Sequence, residues 1–476
     1  MMISSVAWRN VGRNRKRSLI VMTAVLLGTT AGVFTCGVII GWSNERIDTA
    51  VHVEEGHLKV YHPDFLNNED IEKVVPNQEA VAQFLSKHSQ VKCFSQRLKL
   101  MSMASTSHGT TGLILNGVDV DREKKVSTLH TQIIANAGRF LMDEDLYPIV
   151  ISDKTAEQLR IKYFQLEGTL LDSLQQKLVP VETIAKLRYV ADVRFKTKKV
   201  FDKKMSELLN KREIAQYGPI IAKVSIHYRL RSKILFTLTD RNGELVYQTF
   251  RVCGVFKTKN STFDQMNAYV PKKDLAPIVG LLSRESHEIS ILLKDGYEPE
   301  LLQMELKKKF PMISVLTWKE LVPDAGILAE YMSLFNYIVM GFVLFALAFG
   351  IINTMMMAVL ERTKELGMLM AIGMNKNRVF NMIMLETIYL TLVGAIAGMG
   401  VGWLVIKLTG RTGLDFSSVA EGLEAIGWSA VIYPEITPDY FFGITLLVIF
   451  TAILSSLAPA RKALSMNPVE ALRSDN

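Results

Sequence analysis

The chain has 476 residues, 49% of them apolar and 21% charged, with a formal charge of +8 and 3 cysteines. That apolar share is too low for a chain wholly buried in lipid, and three cysteines in this length exclude a disulfide scaffold. Charge alone would allow nucleic-acid binding, but much of it lies beside long apolar stretches, which points to a membrane and away from nucleic acid.

No charge occurs between Arg17 and Glu45, between Glu330 and Glu361, or between Asp439 and Arg461, and another apolar run follows Glu386 as far as Lys407. A helix needs about 20 such residues to cross roughly 30 Å of hydrocarbon. The sequence therefore predicts an α-helical membrane protein with four transmembrane helices. A large mixed α+β extracytoplasmic domain is inserted between the first and second. The expected boundaries are an amphipathic start at 1–17, spans at 18–44, 329–360, 378–407 and 439–460, and an outer domain at 45–328. The remaining pieces are a cytoplasmic loop at 361–377, an outer loop at 408–438 and a tail at 461–476.

The flanks orient the spans. Arg9, Arg13, Arg15, Lys16 and Arg17 precede the first, whereas Glu45, Asp48, Glu54 and Glu55 follow it. The positive-inside rule places the start in the cytoplasm and the middle region outside. Arg362, Lys364, Lys376 and Arg378 then mark an inner loop, acidic residues such as Asp415 and Glu435 an outer one, and Arg461, Lys462 and Arg473 an inner tail. The uncharged core of the first span is long for a signal peptide and precedes no clean cleavage site, so it reads as an uncleaved anchor. Gly28, Gly32, Gly37 and Gly41 in the first span, and Gly394, Gly398 and Gly402 in the third, have the small-xxx-small spacing that lets helices approach closely in lipid. The first span is expected to pack on the third or on a partner protomer.

In the outer region, Val51 to His62 alternates like a strand and Asn77 to His88 reads as a helix. Gln96 to Leu115 predicts strands and a hairpin. Leu146 to Gln158 predicts a strand, then a helix start with Asp153 as its cap. Residues 163–229 are charged and helical in pattern, a separate insertion. Ser232–Leu238, Leu245–Val255 and Glu288–Leu293 read as strands, and Pro299–Lys309 as a helix. The stretch has no HExxH, no GxSxG and no convincing carboxylate pair, so no catalytic residue is assigned. His52, His57 and His62 recur every five residues, a spacing that fits neither one helical face nor one strand face, so no metal site is assigned. Cys36 lies within the first span. Cys93 and Cys253 would either pair in an oxidising compartment or remain two buried thiols.

On the inner side, Glu361 to Gly373 (ERTKELGMLMAIG) suits a short helix along the membrane surface that docks into a soluble partner. GxxxxGK[ST] does not occur, so any ATP that drives the chain is expected in a second polypeptide.

Four stretches carry a resemblance: AWRNVGRNRKR (Ala7–Arg17), NTM (Asn353–Met355), ERTKELGMLMAIG (Glu361–Gly373) and PARKALSMNPVEALR (Pro459–Arg473). The chain resembles the FtsX-like, MacB-type (type VII) ABC transporter permeases. TWKELVP at Thr317–Pro323 is most similar to the lipoprotein-releasing LolC and LolE subunits. In the outer domain, NGVD (Asn116–Asp119), GRF (Gly138–Phe140) and the pair Phe263 and Asp264 fall where that family has similar words; 163–229 is not covered. The chain opens at the membrane, so a MacB-like organisation with a fused nucleotide-binding domain is not expected.

The resemblance implies a mechanical permease in the bacterial inner membrane, with the large domain in the periplasm. It is not itself an enzyme. Two protomers, identical or paralogous, would sit on two copies of a separate LolD- or MacB-like ATPase that holds ATP and Mg²⁺. The coupling residues would be Glu361, Arg362, Lys364, Glu365, Leu366, Gly367 and Leu369. A lipid-facing cleft would lie between Val33, Val38, Ile40, Trp42 and Ile47 on the first span and Tyr331, Leu334, Phe335 and Ile338 on the second. The implied role is extraction of lipoproteins from the membrane and their transfer to a periplasmic carrier. Alternatives are MacB-like export of drugs, peptides or toxins with a periplasmic adaptor, and FtsX-like control of a cell-wall hydrolase.

The topology is directly checkable. With the native cysteines replaced, Asp192→Cys should react with a membrane-impermeant thiol reagent on intact cells, and Lys364→Cys only after permeabilisation. The reverse pattern would refute the orientation.

Overall fold

The computed structural model describes residues 7–9, 15–142, 145–169, 171 and 179–464. The basic start at 1–17 and the terminal signature at 459–473 thus lie partly outside the described residues. The chain divides into a helical unit (Met1–Ile47, Ile327–Ala420, Ser429–Asn476) and an outer unit (Asp48–Gly326 with Glu421–Trp428).

The helical unit contains the expected spans, in helices Arg15–Thr49, Pro323–Glu361, Lys376–Thr412 and Pro438–Leu464. Each extends beyond its uncharged stretch. The second runs for 39 residues, about twice what roughly 30 Å of hydrocarbon requires. Charge counting finds only the part that must be in lipid; residues such as Asp324 and Glu330 continue the helix into water.

The small residues have the expected use. A Cβ on Gly394 would sit 2.8 Å from the Met22 carbonyl oxygen, and one on Gly398 2.7 Å from that of Leu26. Thr30 Oγ1 donates to the Gly398 carbonyl at 3.0 Å. The first and third helices therefore touch backbone to backbone, and dispersion with one side-chain hydrogen bond replaces the missing hydrophobic drive. Gly28 and Gly32 face Leu347 and Met340 of the second helix instead.

The outer unit is built on strands β1 (Leu58–Tyr61), β2 (Val91–Ser105), β3 (Thr110–Val118), β4 (Ile133–Gly138), β5 (Pro148–Ser152), β6 (Lys162–Gln165), β7 (Arg194–Phe195), β8 (Ile226–Tyr228), β9 (Lys233–Thr239), β10 (Leu245–Phe256), β11 (Asn267–Pro271), β12 (Glu288–Leu293) and β13 (Ser314–Thr317). The main sheet runs β13-β1-β12-β2-β3-β11-β5-β10-β4, with β9 pairing both β10 and β2. Its first four strands form two split βαβ units. Helix Gln78–Lys87 joins β1 to β2, helix Pro299–Lys309 joins β12 to β13, and every pairing is antiparallel. Their core gathers Leu58, Val60, Val81, Ile289, Ile291, Leu302, Leu306 and Val315. The rest of the sheet has a second core around Leu98, Leu115, Phe236, Phe250 and Val252.

The 163–229 stretch folds apart from the main sheet. It makes its own sheet, β7-β6-β8, and its own core around Phe164, Leu187, Phe201 and Ile221. Lys162 pairs with Tyr228, so the chain leaves and re-enters at one place.

Two expectations fail. Val51 to His62 is not one strand: Ala50–Glu55 is a π-helical turn continuing the first helix, Gly56 breaks it at φ 80°, and only Leu58–Tyr61 is extended. The alternation reflected a wound turn, not a pleat. Helix Asp153–Gln158 is capped by Ser152, whose hydroxyl accepts from the Thr155 amide, one residue before the expected Asp153. Cys93 and Cys253 are both free thiols, donating to the carbonyls of Lys125 and Ile149.

A buried ion network joins the adjacent strands β1, β12 and β2 to helix Val120–Val126. Arg97 on β2 reaches Glu123 at 2.7 Å and Glu288 on β12 at 3.1 Å, and Lys59 on β1 reaches Glu288 at 3.2 Å. Tyr61 donates its hydroxyl to Glu288 at 3.1 Å, and Ser95 its own to Glu123 at 2.9 Å. Burial alone would raise the Glu288 carboxyl, but Lys59, Lys99 and Arg97 outweigh it and hold the group well below the usual carboxylate range. That depression contributes stability present above pH 4.5 and lost as pH falls further. Glu288→Ala removes the carboxylate that Lys59 and Arg97 share, though they keep Glu55 and Glu123, and should cost about 1.5–3 kcal/mol. In thermal melts, Glu288→Gln should lower the melting temperature at pH 7 and narrow the gap to wild type on acidification below pH 4.5; an unchanged melt at pH 7 would show the network to be dispensable.

Candidate functional site

The inner loop forms as the sequence requires. The second helix ends at Glu361, Arg362 leaves helical geometry at φ −101° and ψ 17°, and helix Thr363–Ala371 begins at once. Its two faces separate by periodicity. Leu366 and Gly367 are buried, with Leu369 and Met370 partly so, against Val359, Val379, Met382, Ile383, Ala460 and Ala463. Glu361, Lys364, Glu365 and Met368 are exposed, and Ile372 is 79% exposed. Of the coupling residues singled out in the sequence, Leu366 and Gly367 thus hold the helix in place. Glu361, Lys364 and Glu365 are exposed, as are Met368 and Ile372. Counting periodicity from the buried Leu366 would have found the latter two.

One ion pair fixes this helix to the third span. Arg362 Nη1 lies 3.0 Å from Glu386 Oε1, and both side chains are largely buried. A carboxylate on an apolar helix is tolerated when a cation satisfies it. The pair closes one end of a cavity of about 200 Å³, lined by Met355, Val359, Leu366, Leu369 and Ile383 among others. The sequence shows both charges, but not that residues 24 positions apart meet.

The cleft candidates separate. Val33 and Ile40 are buried in the helical unit, and Val33 packs where a Cβ on Gly402 would lie 3.0 Å from it, toward the third helix rather than the second. Val38, Trp42 and Ile47 are half-buried. Tyr331, Leu334, Phe335 and Ile338 are all exposed and, at i, i+3, i+4 and i+7, line one stripe. Depth in the sequence located that stripe but could not assign the side to which Val33 turns.

In the outer unit, β1 follows the first long helix and β13 precedes the second, and the two strands pair directly from Leu58 with Thr317 to Tyr61 with Ser314. The Trp318 amide extends the ladder to the His57 carbonyl at 3.1 Å. Burial, reinforced by His52, pushes the His57 imidazole down to about 4. Its neutral Nδ1 accepts from the Leu293 amide at 3.2 Å, which makes it a structural acceptor. Among the described residues no group of His, Cys, Asp and Glu forms a metal site. Of the family-like words, Asp119 caps helix Val120–Val126 and Asn116 donates to Asn267 and to the Ala268 carbonyl. Gly138, at φ 91°, lies against the Cys253 carbonyl, where a side chain would clash. Asp264 is buried and accepts from the Thr258 amide and hydroxyl, the latter at 2.7 Å. Burial pushes its carboxyl up to about 7 against the pull of those donors and Lys257.

Residues 337–468, which apart from Glu421–Trp428 lie in the helical unit, match the family described as FtsX-like permease C-terminal. The chain is 25% identical over 261 residues to the ABC transporter permease YknZ of Bacillus subtilis, covering 53% of this chain and 62% of that protein. It is 31% identical over 128 residues to the macrolide export ATP-binding/permease protein MacB of Escherichia coli, covering 26% of this chain and 17% of that protein. It thus spans less than two thirds of these relatives' length. The extracellular domain of YknZ aligns over 55% of this chain and 99% of that domain at 15% identity and a TM-score of 0.28. The periplasmic region of MacB from Actinobacillus actinomycetemcomitans aligns over 55% of this chain and 88% of that region at 10% identity and a TM-score of 0.29.

Arg362→Ala should leave Glu386 buried without its cation, cost about 3 kcal/mol and loosen helix Thr363–Ala371. Faster proteolysis at Lys364 in membranes would report it. The exchange Arg362→Glu with Glu386→Arg should recover part of the protection; equal cleavage in all variants would remove the pair from the account.

Proposed function

We propose that this chain is the permease subunit of an ATP-driven, mechanically acting transporter of the FtsX/MacB type, set in a bacterial inner membrane. ATP and Mg²⁺ belong to a separate ATPase subunit, present in two copies beneath two permease protomers. The observation that carries this reading is one continuous helix. Pro323–Glu361 follows β13 and helix Trp318–Leu321 at its start, and ends in the Arg362 turn and the docking helix Thr363–Ala371. A helix of this length moves as a rod, so a push on the exposed Lys364, Met368 and Ile372 face is felt at β13. The β1 pairing then carries it to the strand that follows the first span.

The substrate is proposed to be amphiphilic and taken up on the outer side. The four spans hold no charged residue at mid-depth and are lined by packed apolar side chains, a poor aqueous path. The exposed Tyr331, Leu334, Phe335 and Ile338 stripe offers an apolar surface instead. Relatives named for macrolide and pyoverdine export favour MacB-like export with a periplasmic adaptor. The same stripe keeps lipoprotein release open, since withdrawing acyl chains costs about 0.8 kcal/mol per CH₂ and would need ATP.

Affinity purification of the full chain from its native membranes should bring down a polypeptide with a phosphate loop. The chain alone should hydrolyse no ATP. Met368→Glu should reduce recovery of the ATPase at least about tenfold, as expected for a charge placed in an apolar contact. A chain that purifies from those membranes without any ATPase would refute the reading.

A further inference from the structure

The loop between β10 and β11 carries Thr258, Asn260, Ser261, Thr262 and Asp264, short polar residues whose side chains all make hydrogen bonds. Thr258 is held by the buried Asp264, through its amide at 3.1 Å and its hydroxyl at 2.7 Å. The Lys257 amide is fixed to the Gln132 carbonyl at 3.0 Å. Asn260 acts twice. Its Oδ1 caps helix Ser261–Met266, accepting from the amides of Thr262 and Phe263. Its Nδ2 donates to Glu54 Oε1 at 2.9 Å, in the turn that follows the first span. An amide side chain can accept for the cap through its oxygen while it donates to a carboxylate through its nitrogen.

The opposite side of the same loop holds another segment. Lys257 Nζ lies 2.9 Å from Glu424 Oε1, a carboxylate only 16% exposed. Ser261 Oγ donates to the Glu424 carbonyl at 2.9 Å, and Thr262 Oγ1 to that of Ala425 at 3.3 Å. Glu421–Trp428 belongs to the connection between the third and fourth spans, yet it clusters with the outer unit. It is folded for the purpose: the Trp428 amide closes onto the Leu423 carbonyl at 2.9 Å and the Gly427 amide onto that of Glu424 at 3.2 Å.

We propose that the loop Lys257–Asp264 is a catch that positions the Glu421–Trp428 segment against the Ala50–Glu55 turn. The connection between the third and fourth spans is thereby linked to the residues beyond the first. Its role in transmitting motion rests on the mechanical reading above, whereas the link itself does not. The buried Asp264 is the keystone: it accepts from both the amide and the hydroxyl of Thr258 and so fixes the start of the loop. Asn260 and Lys257 act through it as positioning residues for the two segments.

Hydrogen–deuterium exchange on the full chain in lipid nanodiscs, with no ATPase present, tests the link. Asn260→Asp keeps the cap but replaces the donation to Glu54 by repulsion. It should speed exchange about fivefold or more in Ala50–Glu55, and also in Glu421–Trp428, which Asn260 does not touch. Helix Ser261–Met266 should keep its rate. Glu424→Lys should speed both segments, and Lys257→Glu with Glu424→Lys should restore both. If each variant disturbs only the segment it contacts, or neither, the catch is wrong while the permease reading stands. If the link is found in a chain that assembles with no ATPase, the catch stands and the permease reading falls.

Discussion

The structure depends on the pairing of β1 with β13 and on the buried charges that hold β1 in the sheet. β1 continues from the first long helix and β13 leads to the second. A short exposed two-stranded contact would fray. Here the strands lie within a sheet whose next members supply Glu288 and Arg97, and Lys59 reaches into that pair from β1. Displacing β1 would pull Lys59 and the Tyr61 hydroxyl off Glu288, leaving a buried lysine, tyrosine and carboxylate each short of a partner in a low dielectric. The pairing is therefore stiff, and the ends of both helices act on one sheet edge.

The inner end uses the same physics once more. Arg362 interrupts the second helix and is held by Glu386 of the third, so the short helix that follows cannot swing without breaking a mostly buried ion pair. Its apolar residues face inward, and a mixed charged and apolar face remains outward. Between the two ends lies an unbroken helix, and Gly394 and Gly398 of the third helix let that third helix pack on the first at backbone distance. Rigid elements joined at stiff corners suit the transmission of force better than the passage of a solute.

Much of this architecture is legible in the sequence, and the limits are physical. The spans follow from where charge is absent, because an unpaired charge or an unsatisfied backbone is too costly in lipid. The first-to-third contact follows from the spacing of Gly394, Gly398 and Gly402. Strand ranges such as Glu288–Leu293 and the helix Pro299–Lys309 follow from alternation and a proline start. What the sequence hides is pairing at long separation: Arg362 with Glu386, Lys59 with Glu288, Asn260 with Glu54. Each residue alone reads as an ordinary surface charge or turn. Local alternation also misleads where a tertiary contact changes the winding, as in Ala50–Glu55. A cap is easily misplaced by one residue when Ser152 and Asp153 are both competent. Val33 shows the remaining limit: depth along a span is readable, but the neighbour it faces is not.

The most direct test of the account is amide hydrogen exchange in the chain assembled in a bilayer with the ATPase proposed above, compared between nucleotide-free and ATP-bound states. The account requires protection at β1 and β13 to change together, in step with the helix Thr363–Ala371. A nucleotide response confined to that inner helix, with both strands unmoved, would contradict it.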